Sequence, residues 1–143
     1  MSQELMDSYE FGRALSKRIK KWRILTEKNI APLGITLGEF GILVSLSELG
    51  PQPMVELAKA QMITQAAVTS IVDRLEELGL ARRERSETDR RVVRVCNTKR
   101  GEEEVRKGMR LYKKFVERAT QGMKSQELQE LLSLLDRLLT DQE

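Results

Sequence analysis

Between Arg82 and Arg100 the chain carries eight basic side chains (Arg82, Arg83, Arg85, Arg90, Arg91, Arg94, Lys99 and Arg100) against three acidic ones, Glu84, Glu87 and Asp89. Cationic groups gathered this way suit phosphate, because each neutralised phosphate releases condensed counterions. The excess is local: residues 36–81 carry two basic and six acidic side chains, residues 121–143 two and five, and the whole chain is +3. Just upstream lies a second set of a different kind. Gln65, Ala66, Thr69 and Ser70 are small and uncharged, with Asp73 and Arg74 following. Glutamine can bond adenine bidentately, while alanine and the threonine methyl can meet a thymine methyl, so this set is suited to reading A·T base edges. For the basic segment taken alone the alternative is a solvated strand pair whose arginines bond neighbouring carboxylates.

Other chemistries lack their residues. The chain has no histidine, the commonest metal ligand and general base, and one cysteine, Cys96, which cannot form an internal disulfide. Zinc sites and histidine-dependent triads are thereby nearly excluded, and no cofactor or metal is expected. A small hydrolase or transferase has nothing to work with, since neither a glycine-rich phosphate loop nor a nucleophile motif is present. The expectation is a protein that is not an enzyme.

The elements that must position these residues are mainly helical. A chain of 143 residues supports one domain with a real core. With 33% charged and only 4% aromatic residues, that core is filled by aliphatic side chains on helices with solvated outer faces. Met6, Tyr9, Leu15, Ile19, Trp22 and Ile30 share much of one face of a long first helix, ended by Pro32 and Gly34. Thr36 and Glu39 are spaced as a capping box for a second helix, whose buried side is Phe40, Leu43, Val44 and Leu46. Gly50, Pro51 and Pro53 break it, and Val55, Leu57 and Ala58 mark a short third helix. Thr64 is the N-cap of a fourth, with Val68, Ile71, Val72, Leu75 and Leu78 on its apolar back and Gly79 as its stop.

After Gly79 the period becomes two. Leu80–Glu84 can pair antiparallel with Arg91–Cys96, leaving Arg85–Arg90 as the hairpin tip. Thr98 caps a fifth helix with Val105, Met109, Tyr112, Val116 and Ala119 on its apolar face. Ser125 starts a last one with Leu128, Leu131, Leu132, Leu135, Leu138 and Leu139 on one side. No apolar run approaches the roughly 20 residues needed to cross a bilayer, and residues 1–15 lack a basic stretch leading into an apolar one. A cytoplasmic protein without a membrane partner is expected.

Two short helices, the second with a small polar front, followed at once by a basic hairpin describe a winged helix-turn-helix. The major groove, about 12 Å wide, admits one helix whose leading side chains are small. Thr64, Gln65, Ala66, Thr69, Ser70 and Arg74 are the expected DNA contacts on that helix; Arg83, Arg85, Asp89, Arg90 and Arg91 are those on the wing. Arg90 at the tip suits a narrow minor groove, where negative potential concentrates. Asp89 is expected to bridge to Arg83 or Arg85 and so aim Arg90. Each of these arginines can equally serve a structural pair.

At this point the residues resemble a family. Leu33-Gly34-Ile35-Thr36 with Phe40 and Leu43, Glu56-Leu57-Ala58, the V-T-S-I-V-D-R-L-E run from Val68 to Glu76, Gly79-Leu80, Arg83, Asp89-Arg90-Arg91 and Thr98–Gly101 follow the pattern of MarR-type winged-helix transcriptional regulators. The resemblance spans nearly the whole chain, and the Asp-Arg-Arg wing after the D-R-L-E helix is its most specific part. Typical members carry Leu-Thr where this chain has Asn97-Thr98.

The resemblance implies a single chain with a DNA-binding lobe over residues 36–97 and a helical dimerisation region over 1–34 and 98–143. It implies a homodimer on a pseudo-palindromic operator, most often a repressor released by a small aromatic or anionic effector. Lys17, Lys20, Trp22 and Tyr112 are candidates to line an effector crevice, with dimer packing and solvated stems as the alternative. The leucine stripe of the last helix, Leu128–Leu139, agrees with a dimer, intrachain core being the other reading. Some relatives sense oxidants, but through thiols in the first helix; Cys96, at the end of a wing strand, reads as a small buried residue. A nonspecific DNA-coating protein remains the competing class, disfavoured by the acidic balance of residues 36–81.

Overall fold

A computed structural model describes residues 6–140. Part of the N-terminal stretch read above for a leader, residues 1–5, lies outside them. Two compact units divide within the fifth helix, one up to Tyr112 and one from Lys113.

In the first unit α1 (Ser8–Ile30) begins where Asp7 accepts the Tyr9 amide at 2.7 Å. A 3-10 turn, Ala31–Leu33, ends at Gly34, whose φ of 74° explains the glycine. The capping box expected at Thr36 forms in full: Thr36 Oγ1 accepts the Glu39 amide at 3.1 Å, and Glu39 accepts the Thr36 amide at 2.8 Å. It starts α2 (Leu37–Leu49), buried around most of its circumference rather than on the single side expected. Ile42 is fully enclosed and Val44 only half-buried, because α1, α3, α4 and the sheet all pack onto this helix. Periodicity alone cannot signal a helix buried on several sides.

The turn after Gly50 contains a two-residue strand, β1 (Gln52–Pro53), where the sequence offered only helix breakers. It pairs antiparallel with β3, and the sheet order is β1-β3-β2. Proline is tolerated because β1 is an edge. Helix α3 (Met54–Gln61) is closed by Met62, the one described non-glycine residue with positive φ, at 55°. The Ile63 amide reaches Ala58 O and the Met62 amide Lys59 O, a Schellman closure that ordinarily uses glycine. Helix α4 (Gln65–Glu77) ends in the same motif with Gly79 in the left-handed position, the Leu80 amide reaching Leu75 O and both leucines buried.

The hairpin is β2 (Ala81–Arg85) with β3 (Val93–Asn97), paired from Ala81↔Asn97 to Arg85↔Val93. It sits about one residue later than expected because Leu80 is held in the helix-closing turn. Helix α5 (Lys99–Ala119) starts at Thr98, whose Oγ1 accepts the Gly101 amide and donates to Gly79 O at 2.7 Å. Its buried stripe is rotated from the expected one. Gly101, Val105, Gly108 and Phe115 are buried, whereas Met109 is exposed and Tyr112 half-buried. A Cβ on Gly101 would stand 2.0 Å from Leu80 O, and one on Gly108 2.1 Å from the Phe40 ring. Close packing, not turn geometry, selects both glycines. Asn97, the departure from the family pattern, donates to Leu43 O at 3.0 Å and to Glu102 at 3.2 Å, tying the sheet to α2 and α5.

In the second unit α6 (Ser125–Leu139) begins with Glu127 accepting the Lys124 amide at 2.8 Å. Among the described residues none in α6 is buried.

Candidate nucleic-acid interface

Helix α4 presents two unlike sides. Val68, Val72 and Leu75 are fully buried, while Gln65, Ala66, Thr69 and Ser70 are exposed. Thr64 accepts the Ala67 amide at 3.1 Å and so begins the helix as expected. Thr69 donates to Gln65 O at 3.0 Å, which turns its hydroxyl back onto the helix. The exposed front is therefore small and without net charge over its first two turns, the shape a major groove accepts.

The wing arginines divide into committed and free. Arg83 bonds Asp73 at 2.7 Å and is in close contact with Glu76, whose other oxygen accepts the Arg83 amide at 3.1 Å. Burial alone would lower its pKa, but the hydrogen bonds it donates to Asp73 and Glu76 outweigh that and hold the guanidinium above its ordinary value. Its side chain, 28% exposed, thus joins β2 to α4. The bridge expected from Asp89 to Arg83 or Arg85 does not form. Asp89 instead accepts the Arg91 amide at 3.0 Å and pairs with Arg91 Nε at 3.2 Å, a two-residue span that an aspartate closes by itself. Arg85 donates to Arg90 O at 2.7 Å, so it steadies the tip through the backbone. Arg90 is exposed and its guanidinium holds no ion pair among the described residues.

Arg74, expected among the DNA contacts of this helix, has its Nε on Glu39 Oε2 at 2.8 Å. Sequence reasoning assigned Glu39 to the cap alone and missed Asp73 and Glu76 as partners of Arg83. Their spacing of three on the solvent side of α4, just before an arginine-rich strand, was the available signal. Cys96 is buried; desolvation first, then the nearby Glu84 charge, pushes its thiol up and keeps it protonated at neutral pH.

A cavity of about 710 Å³ opens between α1, α2, the end of α3 and α5, with Trp22, Phe40 and Tyr112 among its walls. Of the four residues expected at an effector crevice, Trp22 and Tyr112 line it. Lys17 and Lys20 do not, and face a separate shallow groove along α1 with Tyr9 and Arg13. Gln61 borders the cavity and donates to Gly41 O at 3.2 Å and Ser45 Oγ at 2.6 Å.

Comparison with known proteins gives the same picture. Residues 35–93 match the MarR family model. Escherichia coli MarR in a cysteine-to-serine form bound to operator DNA is 26% identical, with a TM-score of 0.84 over 94% of this chain and 99% of that one. The wild-type E. coli protein in its apo form, also 26% identical, gives 0.77 over 95% and 99%. BldR of Sulfolobus solfataricus, a transcriptional regulator, is 29% identical with a TM-score of 0.75 over 94% and 99%. Residues 35–93 thus form a MarR-family winged-helix lobe, carried by a chain whose fold along nearly its whole length is that of MarR-family transcriptional regulators.

Proposed function

We propose that this protein is a sequence-specific, double-stranded-DNA-binding regulator that acts as a homodimer on a pseudo-palindromic operator, as a repressor. The observation that carries the reading is the pairing of an exposed, uncharged front on α4 with a wing whose tip arginine is unspent. Thr64, Gln65, Ala66, Thr69 and Ser70 read the major groove, and Arg90 enters the flanking minor groove. Arg91 meets phosphate while Asp89 holds it, and Arg85 supports the tip. That the E. coli relative was solved in complex with operator DNA supports the DNA-binding reading.

Dimer formation rests on the leucines of α6. Leu131, Leu132 and Leu139 are 47%, 61% and 69% exposed in the single chain, and Leu128, Leu135 and Leu138 are only half-buried. An apolar stripe left this open favours association with a second copy. Residues 36–97 would then be the reading lobe, and 1–34 with 98–143 the helical region that pairs. Two-fold symmetry sets half-site centres about 34 Å apart. The aromatic-walled cavity suits a small aromatic effector that releases DNA by favouring one lobe arrangement over the other. No single helix among the described residues is long and apolar enough to cross a membrane, which fits a cytoplasmic regulator.

The decisive experiment is selection of bound duplexes from a random pool, with the mass of the complex measured in solution. The expected result is a two-fold symmetric consensus bound by two subunits, and base preference altered by substituting Gln65 or Thr69. Equal binding of selected and random duplexes at physiological salt refutes the reading in favour of a nonspecific coat.

A further inference from the structure

Glu39 is a carboxylate enclosed in the lobe, 3% exposed, with each oxygen bonded to a different segment. Oε1 accepts the Thr36 amide at 2.8 Å and Oε2 takes Arg74 Nε at 2.8 Å. The first bond belongs to the start of α2; the second reaches α4, one turn beyond Ser70 on the base-reading side. We propose that Glu39 is a positioning residue for operator recognition: through Arg74 it fixes the rotation of α4 against α2, and Arg74 serves this purpose instead of binding phosphate. The inference rests on α4 being the base-reading helix.

The physical need is rotational. The back of α4, Val68, Ile71, Val72 and Leu75, packs by apolar contact, which is non-directional. The front must place short side chains within hydrogen-bond tolerance of base edges, about 0.5 Å. A side-chain atom about 5 Å from the helix axis moves roughly 0.9 Å when the helix turns by ten degrees, enough to spoil such a bond. An ion pair with one enclosed partner is directional and costly to break, since its loss strands a buried charge. On the neighbouring positions Asp73 and Glu76 hold Arg83 of the wing. The D-R-x-E run of α4 is thereby tied to α2 on one side and to β2 on the other, so the reading helix and the wing keep a fixed setting.

Glu39→Gln separates the two bonds. Glutamine at this position still completes a capping box, but turns an amide or a neutral oxygen toward Arg74. The test compares wild type, Glu39→Gln, Arg74→Met and the double variant by thermal unfolding and by titration of a selected duplex and a random one over several salt concentrations. Each single variant is expected to lower the selected-to-random affinity ratio about five- to tenfold, the low end of what one misread base pair costs. The double variant should be no worse than either single one, and the salt slope of random-duplex binding should stay at the wild-type value. A high wild-type ratio that Glu39→Gln leaves intact, even with a lowered melting temperature, overturns this inference alone. A salt slope reduced by about one in Arg74→Met makes Arg74 a phosphate contact and also overturns it. A wild-type ratio near one overturns the DNA-reading assignment together with it.

Discussion

Two arginines of one wing are expected to fail in opposite ways. Arg90→Ala removes an exposed guanidinium without an ion pair among the described residues, and the bond from Arg85 falls on the Arg90 carbonyl, which alanine keeps. Stability should stay within about 0.5 kcal/mol of wild type, as for surface substitutions generally. Operator binding should weaken by roughly 1–3 kcal/mol, a factor of about 5 to 150, with the salt slope smaller by about one. Arg83→Met acts on the fold instead. It strands Asp73, which is 58% exposed, and Glu76, which is 33% exposed. Solvent discounts the Asp73 pair to a few tenths of a kcal/mol, and the less exposed Glu76 pair adds about 1 kcal/mol, so the loss is roughly 1–1.5 kcal/mol. Its salt slope should remain that of wild type, because Arg83 is spent within the protein. Thermal unfolding beside anisotropy titrations at four salt concentrations measures both quantities. An Arg90→Ala protein with unchanged affinity and slope removes the wing tip from the mechanism. An Arg83→Met protein with wild-type stability and a reduced slope refutes the division into committed and free arginines.

Four further outcomes follow from packing, backbone geometry and the state of the one thiol. Gly108→Ala should destabilise by about 1–3 kcal/mol despite alanine's better helix propensity, because the new methyl overlaps the Phe40 ring and Leu33; a denaturant midpoint equal to wild type would contradict the packing argument. Met62→Gly should stabilise by about 0.5–1 kcal/mol by relieving a left-handed backbone at a side chain that is 92% exposed, again read from denaturant unfolding. Burial raises the Cys96 thiol above its unfolded value, so its contribution to stability is fully present below the ordinary thiol range and is lost as pH rises through the raised one. Cys96→Ala should flatten that alkaline limb in unfolding measured from pH 7 to 10. Peroxide at neutral pH should leave operator binding unchanged, and a peroxide-sensitive complex rescued by Cys96→Ser would show the thiol to be a sensor.

Much of the fold was legible from caps and stops. The Thr36–Glu39 box, the Thr64 cap and the Gly79 closure are local bonds between residues a few positions apart, so their spacing states them outright. The exposed polar front of α4 was legible for the same reason, because 3.6-residue periodicity separates it from the buried valines. The strand pair at Gln52–Pro53 was not, since two residues carry no period of their own and only β3 makes them a strand.

What the sequence determined by itself was therefore the order and type of the helices, the basic character of the wing and the family pattern they compose. Tertiary structure alone decided which charge meets which. Arg74 and Glu39 are 35 positions apart, and Arg83 finds carboxylates on α4 while Asp89 keeps to its own turn. Ion pairing depends on distances across the fold of a few ångströms, which composition does not encode. The same holds for Gly101 and Gly108, where the neighbours Leu80 and Phe40 become visible only once α5 is laid against them.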